Sequence, residues 1–191
     1  MDSVFDQLFA TLHALGIASG DVIVVEAPGT NLAAGPEGFQ RLAAVLRRVV
    51  GPEGTVVIPT CTHHEGLPKP AFDPLLTPSE MGPFSEFFRQ QRGVLRSHSP
   101  THSVAACGPL ASEIVAGHRS AAGRPSPWGE GAFGRGSPWD ILAAHGAQWV
   151  MLGAGWQDSA FTAYVQALYA EQHSGITRET PFPRFKAEAL G

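Results

Sequence analysis

Apolar positions along the chain switch repeatedly between helical and strand spacing. Residues 3–16 carry apolar side chains every three or four positions, which predicts a helix closed by a glycine: Phe5, Leu8, Phe9, Leu12 and Leu15, then Gly16. The next run, "DVIVVEA" at residues 21–27, is continuously apolar and of strand length. Such a run is typical of a strand that is covered on both faces.

Strand patterns and helix patterns continue to alternate along the rest of the sequence. Further strands are predicted at residues 54–60, 102–108 and 147–155, and further helices at 38–51, 85–91, 109–118, 137–146 and 158–173. Ser137 with Pro138 forms a typical helix start, and Asp158 or Ser159 is expected to cap the last helix. The alternation predicts an α/β fold, with one domain over residues 1–191 and a parallel or mixed central sheet flanked by helices.

Three polar or glycine-rich loops follow predicted strands of this sheet. They include residues 26–35, 61–66 and 155–159, and the second begins a long irregular stretch over residues 61–83. In α/β sheets, ligands collect at the carboxyl ends of the strands, and long loops inside compact domains are usually functional or disordered. We therefore expect the functional site at this edge of the sheet.

Composition narrows the function classes. The 191 residues carry 13 Lys and Arg against 17 Asp and Glu, for a net charge of -4, and the basic residues are scattered. A nucleic-acid binder would usually carry a basic patch, so we expect no nucleic-acid partner. The first residues carry no basic region and no long apolar run, so we expect neither a signal peptide nor a membrane span. With only two cysteines, Cys61 and Cys107, no disulfide framework is expected, and a cytoplasmic protein fits best.

Glu26 is the first candidate for chemistry, because it ends the first predicted strand between Val25 and Ala27. A carboxylate there could act as a general base whose pKa is raised by burial. It could equally be an acid that caps a helix or pins a loop. The sequence leaves both interpretations open.

Histidines form a second group of candidates. His98 and His102 flank Pro100 and titrate near neutrality, so either could serve as a general acid or base. The alternative is that they bond loop carbonyls at the entry to a strand. His118 and His145 each fall in the last turn of a predicted helix, where we expect them only to complement the helix dipole.

Metal and phosphate sites have weaker support. Cys61, His63 and His64 could contribute zinc ligands, or Cys61 could be a nucleophile with a histidine base. No further ligand motif accompanies them, and we expect no metal site. No P-loop or dinucleotide fingerprint is present, although "GRGSPWD" and "GPEGFQ" could each hold a phosphate on backbone N–H groups at a helix start.

Six segments follow one another in an order and spacing that resemble the aminoglycoside 3-N-acetyltransferase family: "GDVIVVEAPGTN", "VVGPEGTVVIPT", "FDPLLTPSEMGPFSEFFR", "GVLRSHSPTHSVAACGPLASEI", "GEGAFGRGSPWDIL" and "WVMLGAG". The resemblance covers nearly the whole chain. It implies an α/β fold and transfer of an acyl group from acyl-CoA to an amine. It also implies that CoA is held by the loop after the first strand and by a neighbouring serine loop, at these positions: Ala27, Pro28, Gly29, Thr30, Asn31 and Ser137.

The chain departs from the family pattern where the family's chemistry lies. After "LGAG" the family usually has a threonine, then a histidine and a glutamate on a helix, and the histidine takes the proton from the attacking amine. Matched without gaps, the last two positions are Ala163 and Gln166 here. The family's loop histidine after the first strand is Glu26, and the histidine of its "RS-x-HP" motif is Ser99, one residue after His98.

These departures predict acid–base chemistry that has been relocated to four residues: Glu26, His98, His102 and Asp158. Substrate contacts are expected from four others: Thr60, Thr62, His63 and Glu80. The chain is also expected to lack the C-terminal segment with which typical members wall the acceptor pocket. A homo-oligomer would then cover the apolar surface left open.

Three functions are compatible with this pattern. The first is an acyl-CoA-dependent N-acyltransferase acting on an aminoglycoside-like or natural-product amine. The second is a biosynthetic enzyme on the same scaffold that performs cyclisation, isomerisation or dehydration by acid–base chemistry without CoA. The third is a non-catalytic binding or assembly protein. The two enzymes need a small-molecule substrate, and none of the three needs a nucleic acid or a membrane.

Overall fold

Within the described part of the chain, a five-stranded sheet with helices on both faces forms the centre of the structure. The computed structural model describes residues 3–28, 35–62, 72–124, 126, 129, 131–153, 155–156 and 159–173. The strands are β1 (Val22–Glu26), β2 (Thr55–Pro59), β3 (Leu95–Arg96), β4 (Val104–Cys107) and β5 (Gln148–Met151). The helices are α1 (Val4–Ala14), α2 (Gly35–Val50), α3 (Pro83–Arg89), α4 (Ala111–Ala116), α5 (Pro138–Ala144) and α6 (Ala160–Gln172), and a 3-10 turn covers Gly117–Arg119.

The sheet is mixed, with the strand order β3-β4-β2-β1-β5. Strand β1 is parallel to both neighbours, so that Val24 lies opposite Val57 of β2 and opposite Trp149 of β5. Strand β4 runs antiparallel to β2 and to β3. The carboxyl ends of β1, β2 and β5 therefore meet at one edge, which is where sheets of this kind bind ligands.

Two apolar clusters cover the sheet, because its central strands are apolar on both faces. On one face, Val25 packs with side chains of α1, α2 and α3, including Leu46. On the other face, Val24 packs with α4, α5, α6 and Phe133. Side chains alternate along a strand, so Glu26 shares the face of Val24 and lies beneath α6.

The fold class predicted from the sequence is confirmed, with a mixed sheet and flanking helices. Ser137 caps α5 with Pro138 in the first helical position, as predicted, and Ser159 caps α6. The short edge strand β3 is not predicted from the sequence, because two residues carry no periodic pattern. The helix predicted at 109–118 is α4 followed by the 3-10 turn. None of the described helices is both long enough and apolar enough to cross a membrane.

A buried arginine ties α6 to α5. The Arg124 side chain is 5% exposed and donates to Asp140 Oδ1 at 3.0 Å and to Glu171 Oε2 at 2.7 Å. It also donates to the carbonyl of Phe133 and lies over the ring of Tyr164, whose hydroxyl donates to the same Asp140 oxygen at 3.1 Å. Two carboxylates from two helices thus share one buried cation, which fixes how α6 packs against α5.

Replacing Arg124 by methionine should lower the free energy of unfolding by about 3–5 kcal/mol, because two partly buried carboxylates lose their cation. Urea denaturation followed by circular dichroism measures this loss. Arg135→Met is the matched control, since Arg135 also bonds Glu171, at 2.6 Å, but is 72% exposed. We expect that control to cost less than about 1 kcal/mol. Equal losses for the two variants would contradict the role of Arg124 as the anchor.

Candidate functional site

Glu26 organises the edge at which the parallel strands end. It is 3% exposed, and its side chain reaches the first residues of α6. The Ser159 hydroxyl donates to Glu26 Oε1 at 3.0 Å, and the Ala160 N–H donates to Oε2 at 3.2 Å. Both carboxylate oxygens are therefore bonded at the start of α6, where the helix dipole favours negative charge.

Of the two interpretations that the sequence left open for Glu26, the helix-capping carboxylate matches these contacts. The capping does not remove its capacity for acid–base chemistry. Burial raises the pKa of Glu26 above its ordinary value, although the hydrogen bonds from Ser159 and Ala160 act in the opposite direction. A carboxyl group with a raised pKa is closer to the range in which a general base works at neutral pH. Its role as a base stays a prediction.

Cys61 lies close enough to Glu26 to be affected by its charge. Burial, together with the charge of Glu26, raises the pKa of the Cys61 thiol to about 12. A thiol with this pKa stays protonated at neutral pH and is a poor nucleophile. A buried thiol that stays protonated argues against the nucleophilic cysteine considered from the sequence.

His102 is buried at the same edge and packs into the aromatic cluster on the α6 face of the sheet. It is 7% exposed, and its ring centroid lies 4.4 Å from that of Phe133. Its backbone N–H donates to Ser99 Oγ at 3.2 Å, and its carbonyl accepts from Trp139 Nε1 at 3.1 Å. Glu26 and His102 are thus both shielded from solvent. A catalytic role for His102 stays a prediction.

His98 and His118 line a cavity of about 210 Å³ beside the segment that leads into β4. The exposed His98 ring lies edge-on to Phe72 at 5.6 Å. His118 Nε2 lies 3.2 Å from the Ala132 carbonyl and Nδ1 lies 2.8 Å from Ser97 Oγ. Since a carbonyl can only accept, Nε2 carries the proton and Nδ1 accepts from Ser97. Burial lowers the pKa of His118 to about 4, so the ring is neutral at neutral pH.

These contacts give His118 more than the dipole role expected from the sequence. As a neutral ring with both nitrogens bonded, it joins the segment before β4 to the loop at residue 132. His98 lines the same cavity and is exposed. Its assignment to acid–base chemistry stays a prediction.

Arg96, at the end of β3, holds the loop that follows β2. Its Nε donates to Thr60 Oγ1 and to Ser103 Oγ, each at 3.1 Å. Its remaining N–H groups donate to the carbonyls of Thr60 and Thr77. Burial lowers the pKa of Arg96 to about 10, which leaves it charged at neutral pH. No spacing pattern in the sequence indicates this function.

Thr60, Thr62 and Glu80 were predicted to contact substrate. The first two are buried, and their hydroxyls are bonded within the chain, Thr60 to Arg96 and Thr62 to the Pro100 carbonyl. Glu80 is exposed, and its N–H donates to the Cys61 carbonyl at 3.0 Å. Their assignment to substrate binding stays a prediction.

The residues predicted to hold CoA are only partly described. Ala27 is buried and Pro28 half-buried directly after β1, and the buried Ser137 hydroxyl accepts from the Asp140 N–H at 3.3 Å. Their cofactor roles stay predictions. Five predicted site residues lie outside the described residues: Gly29, Thr30, Asn31, His63 and Asp158. Within the described ranges, no group of three His, Cys, Asp or Glu side chains could hold a metal ion.

Comparison with known proteins gives this geometry a family context. The family model described as aminoglycoside 3-N-acetyltransferase matches residues 30–183. Aminoglycoside N(3)-acetyltransferase VII of Streptomyces paromomycinus is 28% identical, over 94% of this chain and 62% of its own length. Aminoglycoside N(3)-acetyltransferase III of Salmonella sp. is 29% identical, over 90% of this chain and 63% of its own length. The chain thus spans a little under two thirds of the length of these curated relatives.

Solved structures show the same likeness. The complex of AAC-IIIb with CoASH superposes with a TM-score of 0.70 at 30% identity, covering 86% of this chain and 64% of that chain. Aminoglycoside acetyltransferase AAC(3)-Xa gives a TM-score of 0.72 at 27% identity, covering 86% and 61%. AAC-VIa with sisomicin bound gives 0.67 at 29% identity, covering 85% and 64%.

His118 should make the stability of the protein depend on pH. Its folded-state pKa of about 4 lies below its ordinary value of 6.5, so the unfolded state binds a proton more readily. The neutral His118 ring therefore makes its full contribution to the free energy of unfolding above pH 6.5. As the pH falls from 6.5 to 4, this contribution decreases by up to about 3 kcal/mol. Urea denaturation at a series of pH values measures this slope.

His118→Gln should flatten the slope in this window, because glutamine does not titrate. His173→Gln is the control, since His173 is exposed at the end of α6 and should leave the slope as it is in the wild type. A wild-type slope in His118→Gln would contradict the assignment of a neutral, half-buried ring.

Proposed function

Because the chain belongs to the aminoglycoside 3-N-acetyltransferase family, we propose that it transfers an acyl group from acyl-CoA to the amine of an aminoglycoside-like or natural-product small molecule. Acyl-CoA supplies the acyl group as a thioester. The chain itself must supply an acceptor site and a base that takes the amine proton. Glu26 is the residue to which we assign the base.

The position of Glu26 is the observation that supports this function most strongly. By resemblance, the family's base is a histidine at the position of Ala163. Ala163 follows Ala160 by three residues, which puts both on one side of the first turn of α6. Glu26 Oε2 accepts the N–H of Ala160 at 3.2 Å. A carboxylate therefore lies about one helical turn from the position at which the imidazole is missing.

Burial makes Glu26 suitable as the base that replaces the family's histidine. Its raised pKa brings the carboxylate nearer to the working pH, where proton transfer from an amine is more effective. The site around it is shielded from solvent by α6 and the aromatic cluster. Electrostatic interactions are stronger in such a site than in water. The histidine lost from the helix is thus matched by a carboxylate at the end of β1.

We assign binding of acyl-CoA, the acyl donor, to the loop that begins with Ala27 and Pro28. A Cβ at Gly82 would come within 2.5 Å of the Pro28 carbonyl, so the glycine lets the start of α3 pack directly against this loop. By resemblance, Ala27 and Pro28 belong to the loop that holds CoA in the family. Ser137 fits less well, because its hydroxyl already caps α5. The CoASH complex of a relative supports use of this cofactor.

The acceptor side is assigned to the cavity of about 210 Å³ lined by His98 and Thr101. It lies beside the segment that precedes β4, at the edge where Glu26 is found. Its polar lining suits a substrate rich in hydroxyl and amino groups. The structure of a relative with sisomicin bound supports an acceptor of the aminoglycoside class.

Glu26→Gln tests this function in a transfer assay. The wild-type protein should release free thiol from acetyl-CoA when an aminoglycoside with a free 3-amino group is added. The variant should lower kcat by about 10²–10⁴-fold, the usual loss for a missing general base. The wild-type kcat/KM should rise with pH through the raised pKa of Glu26, because only the carboxylate form accepts a proton. Glutamine should abolish this rise.

Glu53→Gln is the control, since Glu53 is exposed in the turn before β2, at the opposite edge of the sheet. It should leave kcat and the pH profile unchanged. If no amine gives thiol release and acetyl-CoA does not raise the melting temperature, a protein that does not use CoA is favoured instead.

A further inference from the structure

We propose that Ser159 contacts the attacking amine and passes its proton to Glu26, a role that rests on the proposed function. The two residues then act as a relay at the start of α6. Nothing in the sequence pattern assigns Ser159 more than a helix cap.

The hydrogen bonds of Ser159 are those of a relay. A hydroxyl has one hydrogen and two acceptor positions. The hydrogen is donated to Glu26 Oε1 at 3.0 Å, and the Phe161 N–H occupies one acceptor position at 3.2 Å. No contact among the described residues uses the second acceptor position of the Ser159 hydroxyl. An amine N–H can donate to that position while the hydroxyl stays bonded to the carboxylate.

Glu26 needs such an intermediary because it is shielded. It is 3% exposed beneath α6, and the cavity that borders it within the described part of the chain measures about 10 Å³. That space suits about one water and not an amine substrate. Ser159 is the last residue of the loop that leaves β5 at the ligand-binding edge. At 6% exposed Ser159 is nearly as buried as Glu26, so the amine must meet its hydroxyl in a site that is closed to bulk water.

The relay balances in protons and bonds. The amine nitrogen bonds to the acyl carbon, and the bond between that carbon and the CoA sulfur breaks. The nitrogen gives one proton to Ser159 Oγ, while the hydroxyl's own proton moves to Glu26 Oε1. Ser159 is unchanged, and Glu26 becomes neutral. The proton then returns through Ser159 to the leaving thiolate, which restores the carboxylate and gives the free thiol.

Threonine and asparagine at residue 159 separate the relay from helix capping. Both residue types cap helices, but only threonine keeps a hydroxyl that can exchange a proton. In the acyl-transfer assay, Ser159→Thr should keep a kcat close to the wild-type value. Ser159→Asn should lower kcat by about 10²-fold. The rise of kcat/KM with pH that belongs to Glu26 should persist in Ser159→Thr and flatten in Ser159→Asn.

Ser3→Ala is a second control, because Ser3 caps α1 through a hydrogen bond from the Asp6 N–H at 3.3 Å. It should lower the melting temperature without changing kcat. Equal kcat values and pH profiles in Ser159→Thr and Ser159→Asn would overturn the relay while the proposed function stands. A wild-type protein that transfers no acyl group would overturn the proposed function and the relay together.

Discussion

The bond between a strand-end carboxylate and the first turn of α6 is the contact on which the rest of the site depends. Strand β1 is buried on both faces, so a charge at its end is costly unless polar groups surround it. The Ser159 hydroxyl, the Ala160 N–H and the helix dipole supply those groups. The contact fixes where α6 begins, and burial sets the acidity of the carboxyl group. One interaction thus serves both the fold and the proposed chemistry.

Three further side chains hold α6 and the neighbouring loops at this edge in place. Arg124 locks α6 against α5, Arg96 holds the loop after β2, and His118 joins the segment before β4 to the loop at residue 132. Each of them donates to a backbone carbonyl as well as bonding a side chain. The loops at the edge are therefore fixed by hydrogen bonds within the chain. A supporting layer of this kind is what a precise catalytic geometry requires.

Sequence periodicity predicted most of the fold because apolar spacing reports burial directly, as the run at residues 21–27 shows for β1. It missed β3, whose two residues form a strand only because β4 lies beside them. Glu26 could be identified from the sequence as a candidate general base, because it is a carboxylate at the end of a predicted strand. Its partner could not be found in the same way, because Ser159 lies 133 positions away and meets Glu26 only through the strand order. The functions of Arg96 and His118 were missed for the same reason, since both depend on contacts between distant loops.

The proposed function and the relay both require that Glu26 is a buried carboxyl group whose pKa is raised in the folded protein. Carbon-13 NMR of protein labelled at the glutamate side-chain carboxyls measures this directly, with the Glu26 signal assigned by its absence in Glu26→Gln. We expect that signal to titrate at a pH above 4.5, the ordinary value for glutamate. A Glu26 signal that titrates at or below 4.5 would contradict the account, because the carboxyl group would then be neither desolvated nor suited to act as the base.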